Sequence, residues 1–173
     1  EEAKTILEKA GWKYNQEERV LEKITKKGKQ TERKILAFSI STGNAPELKQ
    51  TANILKETWE KLGARVDVRI FESGDLNQNV IRPRKYDALL FGEIIGRDLD
   101  LYAFWHSSQR NDPGLNIAMY ANSRADKLLE EARTLKTQKE RLEKYEAFAE
   151  ELAKDRPAVF LYSPQFIYLL PKK

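Results

Sequence analysis

Apolar positions along this chain switch between helical and strand-like spacing, and the order of the switches predicts the fold. Ala3, Ile6, Leu7 and Ala10 fall on one helical face, and Gly11 follows them, a residue free to end a helix in the left-handed region. Residues 20–40 read as a β-hairpin. Val20, Leu21 and Ile24 form its first strand, Lys26-Lys27-Gly28-Lys29 its turn, and Ile35-Leu36-Ala37-Phe38-Ser39-Ile40 its more apolar second strand. Asn44 and Glu47, three residues apart across Pro46, predict a capping box at the start of a helix. Leu48, Ala52, Leu55, Trp59 and Leu62 then share one face of that helix, and Gly63 ends it.

Val66, Val68 and Ile70 alternate with Arg65, Asp67 and Arg69, which predicts a strand with one buried face. A short helix over 75–80 and a buried strand over 86–91 follow. Strand, helix, strand, short helix, strand is the grammar of a βαβ protein, so the fold class is α/β, with a mixed, partly parallel sheet flanked by helices. Periodicity fails between Gly92 and Asn122, a stretch that holds Gly92, Gly96, Pro113 and Gly114 among its aromatics. Loops of that length inside a compact domain are usually functional or carry short helices of their own. Two helices come next, with Ser123 and Asp126 predicted to cap the first and Thr137 and Glu140 the second. Ala158-Val159-Phe160-Leu161-Tyr162 and Phe166-Ile167-Tyr168-Leu169-Leu170 read as two closing strands separated by Pro164.

Composition narrows the chemistry. The chain has 173 residues, the size of one domain, and no cysteine, so disulfides, thiolate metal sites and cysteine nucleophiles are excluded. One histidine, His106, leaves no His-rich metal site, and no acidic cluster has the spacing of a calcium loop. A net charge of +4 with 34% charged residues describes a solvated surface. Basic groups at Arg82, Arg84 and Lys85, at the hairpin turn and at Lys172-Lys173 are short and accompany no nucleic-acid motif. The chain opens without Met on Glu1-Glu2-Ala3-Lys4, which reads as a mature or excised product whose missing targeting signals carry no information about location.

Two stretches carry candidate chemistry. Ser39-Ile40-Ser41-Thr42-Gly43-Asn44 places hydroxyls between a strand and a helix start, the form of a phosphate cradle, and is similar to the phosphate loop of flavodoxins. Ala45 and Pro46 depart from that loop, Pro46 by lacking a backbone donor. An FMN electron carrier and a plain helix start are the two readings. The second stretch runs from Gly92 to Gln109, behind the carboxyl end of a buried strand, where α/β sheets place ligand crevices. Its acids suit an ammonium or sugar hydroxyls, and Trp105 offers a flat apolar platform. The competing reading makes Asp98 or Asp100 a helix cap and Phe104 and Trp105 core.

Further segments recur in an order that resembles the second lobe of family 5 extracellular solute-binding proteins, the oligopeptide, dipeptide and nickel receptors of ABC importers. They include Ala3-Lys4-Thr5-Ile6-Leu7-Glu8-Lys9-Ala10-Gly11-Trp12-Lys13, Trp59-Glu60-Lys61-Leu62-Gly63, Tyr86-Asp87, Trp105-His106-Ser107-Ser108-Gln109, Gly114-Leu115-Asn116, Tyr120-Ala121-Asn122, and Asp155-Arg156-Pro157 ahead of Phe160-Leu161-Tyr162-Ser163-Pro164. The resemblance implies a single domain over 1–173, one lobe of a two-lobed periplasmic-binding-protein type II fold without its first lobe. It implies a binding module rather than an enzyme, with no cofactor and no nucleic-acid partner. The implied solute is a peptide or oligosaccharide, closed on by hinge motion against the first lobe and delivered to the importer's membrane subunits from an extracellular or periplasmic, membrane-tethered receptor. The implied ligand-facing residues are Gly92, Glu93, Ile94, Gly96, Asp98, Asp100, Trp105 and His106. Peptide receptors of this kind carry an acid in that loop, near the position that Ile95 occupies here, with Asp98 and Asp100 a few residues on. Glu93 and Trp105 are accordingly expected on an open face, and the chain alone to bind solute weakly.

Overall fold

The computed structural model describes the whole chain except Lys29, Arg97, Asp98, Phe166, Ile167, Lys172 and Lys173, and the side chain of Lys27. It divides into two compact units, Glu1–Ile94 and Ile95–Lys173.

The first unit opens with helix α1 (Glu2–Lys9), after which Gly11 takes φ +87°. Strands β1 (Lys13–Asn15), β2 (Val20–Lys27) and β3 (Gln30–Ile35) form an antiparallel sheet in that order. The hairpin therefore exists, but with a different second strand. Ile24 pairs with Arg33 and Glu22 with Ile35, so the polar stretch 30–35 is the partner of β2. The apolar run that the pattern gave to the hairpin belongs to strand β4 (Ala37–Gly43), in another sheet.

In that second sheet β4 is central, flanked in parallel by β5 (Arg65–Phe71) and β6 (Ala88–Leu90). Parallel neighbours require crossovers. Helix α2 (Pro46–Lys61) makes the first, and the short helix α3 (Ser73–Asp75), running into a π-helical segment over Leu76–Ile81, makes the second. The expected α/β architecture with parallel pairing is thus present. Ile40, Ala64 and Val66 form a buried cluster with Phe38, Leu55 and Trp59 packed against it, and the Trp59 ring meets Phe38 edge-on at 5.1 Å. Leu21 N–H donates to Gly63 O at 2.7 Å, and Arg65 N–H to Leu36 O at 2.8 Å, tying the antiparallel strands to the start of β5.

The capping box predicted at α2 is absent. Ala45 is the N-cap and has no side-chain acceptor to offer, while the Asn44 amide donates to Glu72 Oε2 at 2.7 Å. Pro46 in the first turn needs no cap for its missing N–H.

The second unit is helical. A one-turn helix α4 (Tyr102–Trp105) and a 3₁₀ turn (Ser107–Gln109) break the long aperiodic stretch, and helices α5 (Ser123–Thr134) and α6 (Gln138–Asp155) pack together. Ala125, Leu129 and Ala132 of α5 meet Tyr145, Phe148 and Leu152 of α6 in one core, and these spacings of three and four are helical faces. The Thr137–Glu140 capping box is formed as predicted. At α5 the cap is Asn122 instead of Ser123, its Oδ1 accepting from the amides of Arg124 and Ala125, while Asp126 is engaged with Ser107. The two closing strands do not form among the described residues. Residues 158–165 have no regular structure, Val159 and Phe160 are exposed, and Phe166 and Ile167 of the second expected strand lie outside the described residues.

Candidate functional site

Strand β6 delivers the first group of expected ligand residues. Its carboxyl end runs out at Leu90, and Phe91, Gly92, Glu93 and Ile94 follow without regular structure, all exposed. Ile94 is 94% exposed and Phe91 46%, a bare apolar lip at the end of a parallel strand. That is where open α/β sheets receive ligands. Desolvation by nearby atoms pushes the Glu93 carboxyl up to about 7, yet its accessible surface leaves it open to solvent, and an incoming cation can reach it. The expectation of an open position holds for Glu93.

The second group behaves differently. Gly96 is exposed and Asp98 lies outside the described residues. Asp100 is committed within its own unit: Arg133 Nη2 donates to its Oδ2 at 2.6 Å, Arg133 Nε to both oxygens, and the Tyr102 amide to Oδ1 at 3.1 Å. Those bonds, led by Arg133, hold its carboxyl below the usual carboxylate range. Leu101, and not Asp100, is the N-cap of α4, and no side chain caps that helix; Asp100 makes a local turn contact just ahead of it.

Trp105 corrects the expectation of an open aromatic platform. It is only 7% exposed, with its ring 6.3 Å from Phe148, 6.5 Å from Tyr120 and 5.9 Å from Phe160. The apolar faces of α5 and α6 leave a space that α4 fills with this indole. His106 is buried as well. Its Nδ1 accepts from the Ser108 amide at 3.1 Å, which caps the 3₁₀ turn, and its Nε2 lies 3.3 Å from Glu130 Oε1. Its ring stacks on Tyr102 at 4.1 Å.

Ser39, Ser41 and Thr42, the proposed phosphate cradle, lie within β4 rather than in a loop, and all three are buried. Ser39 donates from its amide and its Oγ to Asp87 Oδ2, and Thr42 Oγ1 donates to Leu90 O at 2.9 Å. These hydroxyls serve the sheet, and the FMN reading loses its footing.

Asn116 had no candidate role in the sequence beyond its place in the resemblance, yet it organises the segment after α4. Fully buried, its Nδ2 donates toward the carbonyls of Trp105, His106 and Tyr120, and its Oδ1 accepts from the Tyr120 amide. Among the described residues no cluster of three His, Cys, Asp or Glu side chains is arranged to hold a metal ion, and no helix is long and apolar enough to cross a membrane.

No protein-family model matches the chain. The oligopeptide-binding protein AppA of Bacillus subtilis (strain 168) is 30% identical over 172 residues, which cover 98% of this chain and 30% of AppA. The structure of AppA in complex with a nonapeptide superimposes on 90% of this chain with a TM-score of 0.79 at 29% identity. The resemblance to family 5 solute-binding receptors holds. NikZ from Campylobacter jejuni, solved in complex with Ni(L-His), is 28% identical over the same share of the chain, with a TM-score of 0.73. An oligopeptide-binding protein from Thermus thermophilus, 17% identical with a TM-score of 0.74, shares the fold. The chain spans about 30% of the length of the relatives it matches.

Proposed function

We propose that this chain is the ligand-facing second lobe of an ABC-importer solute receptor, acting by closing with a first lobe around a peptide or oligosaccharide. The observation that carries the reading is the alignment with AppA, collinear over 98% of this chain and reproduced in three dimensions. The exposed Phe91, Gly92, Glu93 and Ile94 at the end of β6 support it, because an apolar lip with one free carboxylate is half of a cage for an amphipathic solute. A half-cage excludes water poorly, so affinity depends on the second half. Its relatives' trade also argues for a binding lobe over an enzyme, working with importer membrane subunits at an extracellular or periplasmic, tethered location.

The test is a hybrid in which this chain replaces the aligned segment of AppA, compared with the chain alone by calorimetry. Weak or absent binding of di- to pentapeptides and oligosaccharides by the chain, and peptide binding by the hybrid, are the expected results. Tight binding by the chain alone, or a folded hybrid that binds no peptide, overturns the reading.

A further inference from the structure

Strand β6 is held by β4 at both of its ends. It has three residues, pairs with β4 alone among the described residues, and would be a marginal strand on those rungs. At its entry, Asp87 Oδ2 accepts from the Ser39 amide at 2.9 Å and from Ser39 Oγ at 2.7 Å. At its exit, the fully buried Thr42 donates from Oγ1 to Leu90 O at 2.9 Å. The ladder between β4 and β5 runs on to Gly43 and Phe71, whereas the one between β4 and β6 stops at Thr42 and Leu90. A side-chain hydroxyl that bonds a strand carbonyl offers the backbone an alternative to the next rung. Phe91, Gly92, Glu93 and Ile94 then leave the sheet, all exposed.

We infer that Thr42 is a positioning residue for the solute-facing lip: its hydroxyl holds the Leu90 carbonyl and so fixes the point at which Phe91–Ile94 depart from β6. This rests on the lobe reading above, in which residues 91–94 face the solute, and every residue it uses belongs to the first unit. Side chains alternate along a strand, so a slip of β6 by one residue against β4 would turn each of them to the other face. A lip that wanders must also be ordered when solute binds, which costs affinity. Valine at this position keeps the buried shape but offers Leu90 O no donor, whereas serine keeps the hydroxyl.

Nitrogen-15 relaxation on this chain tests the staple without any solute. Amide order parameters of Gly92, Glu93 and Ile94 are expected at about 0.85 in the wild type, falling below about 0.6 in Thr42→Val and recovering in Thr42→Ser. Ser39→Ala, which removes one bond at the entry, is expected to leave them unchanged. A lip already mobile in the wild type, no change in Thr42→Val, or an equal change in Thr42→Ser or Ser39→Ala overturns the inference. Should Thr42→Val not fold, the wild-type hydroxyl decides: its proton is expected to be visible by NMR, slowed in its exchange with water, and free exchange overturns the staple. In a peptide-binding AppA hybrid, Thr42→Val is expected to weaken peptide affinity about three- to tenfold, the worth of one hydrogen bond, with Thr42→Ser close to wild type. Equal affinity in all three overturns the positioning role. A hybrid that never binds peptide strikes the lobe reading instead, and the relaxation result alone then decides the staple.

Discussion

Replacing Asn116 by alanine removes a side chain with no accessible surface that serves four backbone groups. The His106 carbonyl also accepts from the Gln109 amide at 2.9 Å, so it keeps a partner. The Trp105 carbonyl and both backbone groups of Tyr120 lose the bonds that Asn116 supplies. Each buried polar group left unpaired costs about 1–3 kcal/mol, and water entering the vacated space recovers part of that. A net loss of about 3 kcal/mol is the expected outcome, a large fraction of a stability of about 5–15 kcal/mol. With a urea slope of about 1–3 kcal/mol per molar, the midpoint falls by about 1–3 M, read by far-ultraviolet circular dichroism. Asn116→Asp makes the sharper test. It keeps the acceptor for the Tyr120 amide but turns a carboxylate oxygen toward three carbonyls, so it is expected to be worse than alanine. A loss under about 1 kcal/mol for alanine, or an aspartate variant as stable as wild type, refutes the idea that this amide holds the segment in place.

Gly63→Ala is expected to destabilise the first unit by at least about 1 kcal/mol, because Gly63 sits at φ +94° and an added Cβ would fall 2.9 Å from the Tyr14 ring; a Tyr14→Ala background should return part of the loss in chemical denaturation. Thr137→Ala removes the box at α6 and should cost about 1 kcal/mol by urea titration. Glu93 carries a carboxyl raised to about 7 in the folded chain against an ordinary value of 4.5, so between those values the folded state holds the proton more firmly than the unfolded one. Its contribution to stability is therefore present at low pH and is lost as pH rises through that window, the reverse of a salt-bridged acid. Carbon-13 titration of the Glu93 carboxyl should place its midpoint near 7, and Glu93→Gln should remove that part of the pH dependence.

Where the apolar period was strong, the sequence was legible. The face of α2, the alternation in β5 and the Thr137 box all signal themselves within a few residues. The β2–β3 pairing did not, because Thr31, Glu32, Arg33 and Lys34 are exposed on both faces of β3 and leave no period of two. The apolar run behind it drew the assignment, though its burial comes from α2. At Asn44 the capping spacing was present, but the N-cap falls one residue later, on Ala45, and the Asn44 amide reaches Glu72, 28 residues away. Asn122 was overlooked because Ser123 and Asp126 mimic a box one position later, and Asp126 is drawn off by Ser107. Of the candidate site, Glu93 kept the exposure expected of it, whereas Trp105 was taken into the core of α5 and α6, His106 caps the 3₁₀ turn, and Asp100 is gripped by Arg133. The sequence offered Trp105 as core beside the platform reading, but the rings that decide between the two, Tyr120 and Phe148, lie outside its local stretch.

Because β4 has parallel partners on both sides, its neighbours arrive late in synthesis. Ile40 pairs with Val68 and then with Ala88. A nascent chain must therefore keep one edge of β4 unpaired until the residues of β6 leave the ribosome, whereas α5 and α6, adjacent in sequence, can zip together as soon as both emerge. Early release or a stall before Leu90 would leave that strand without its second flank, and here a holding chaperone has its clearest opportunity.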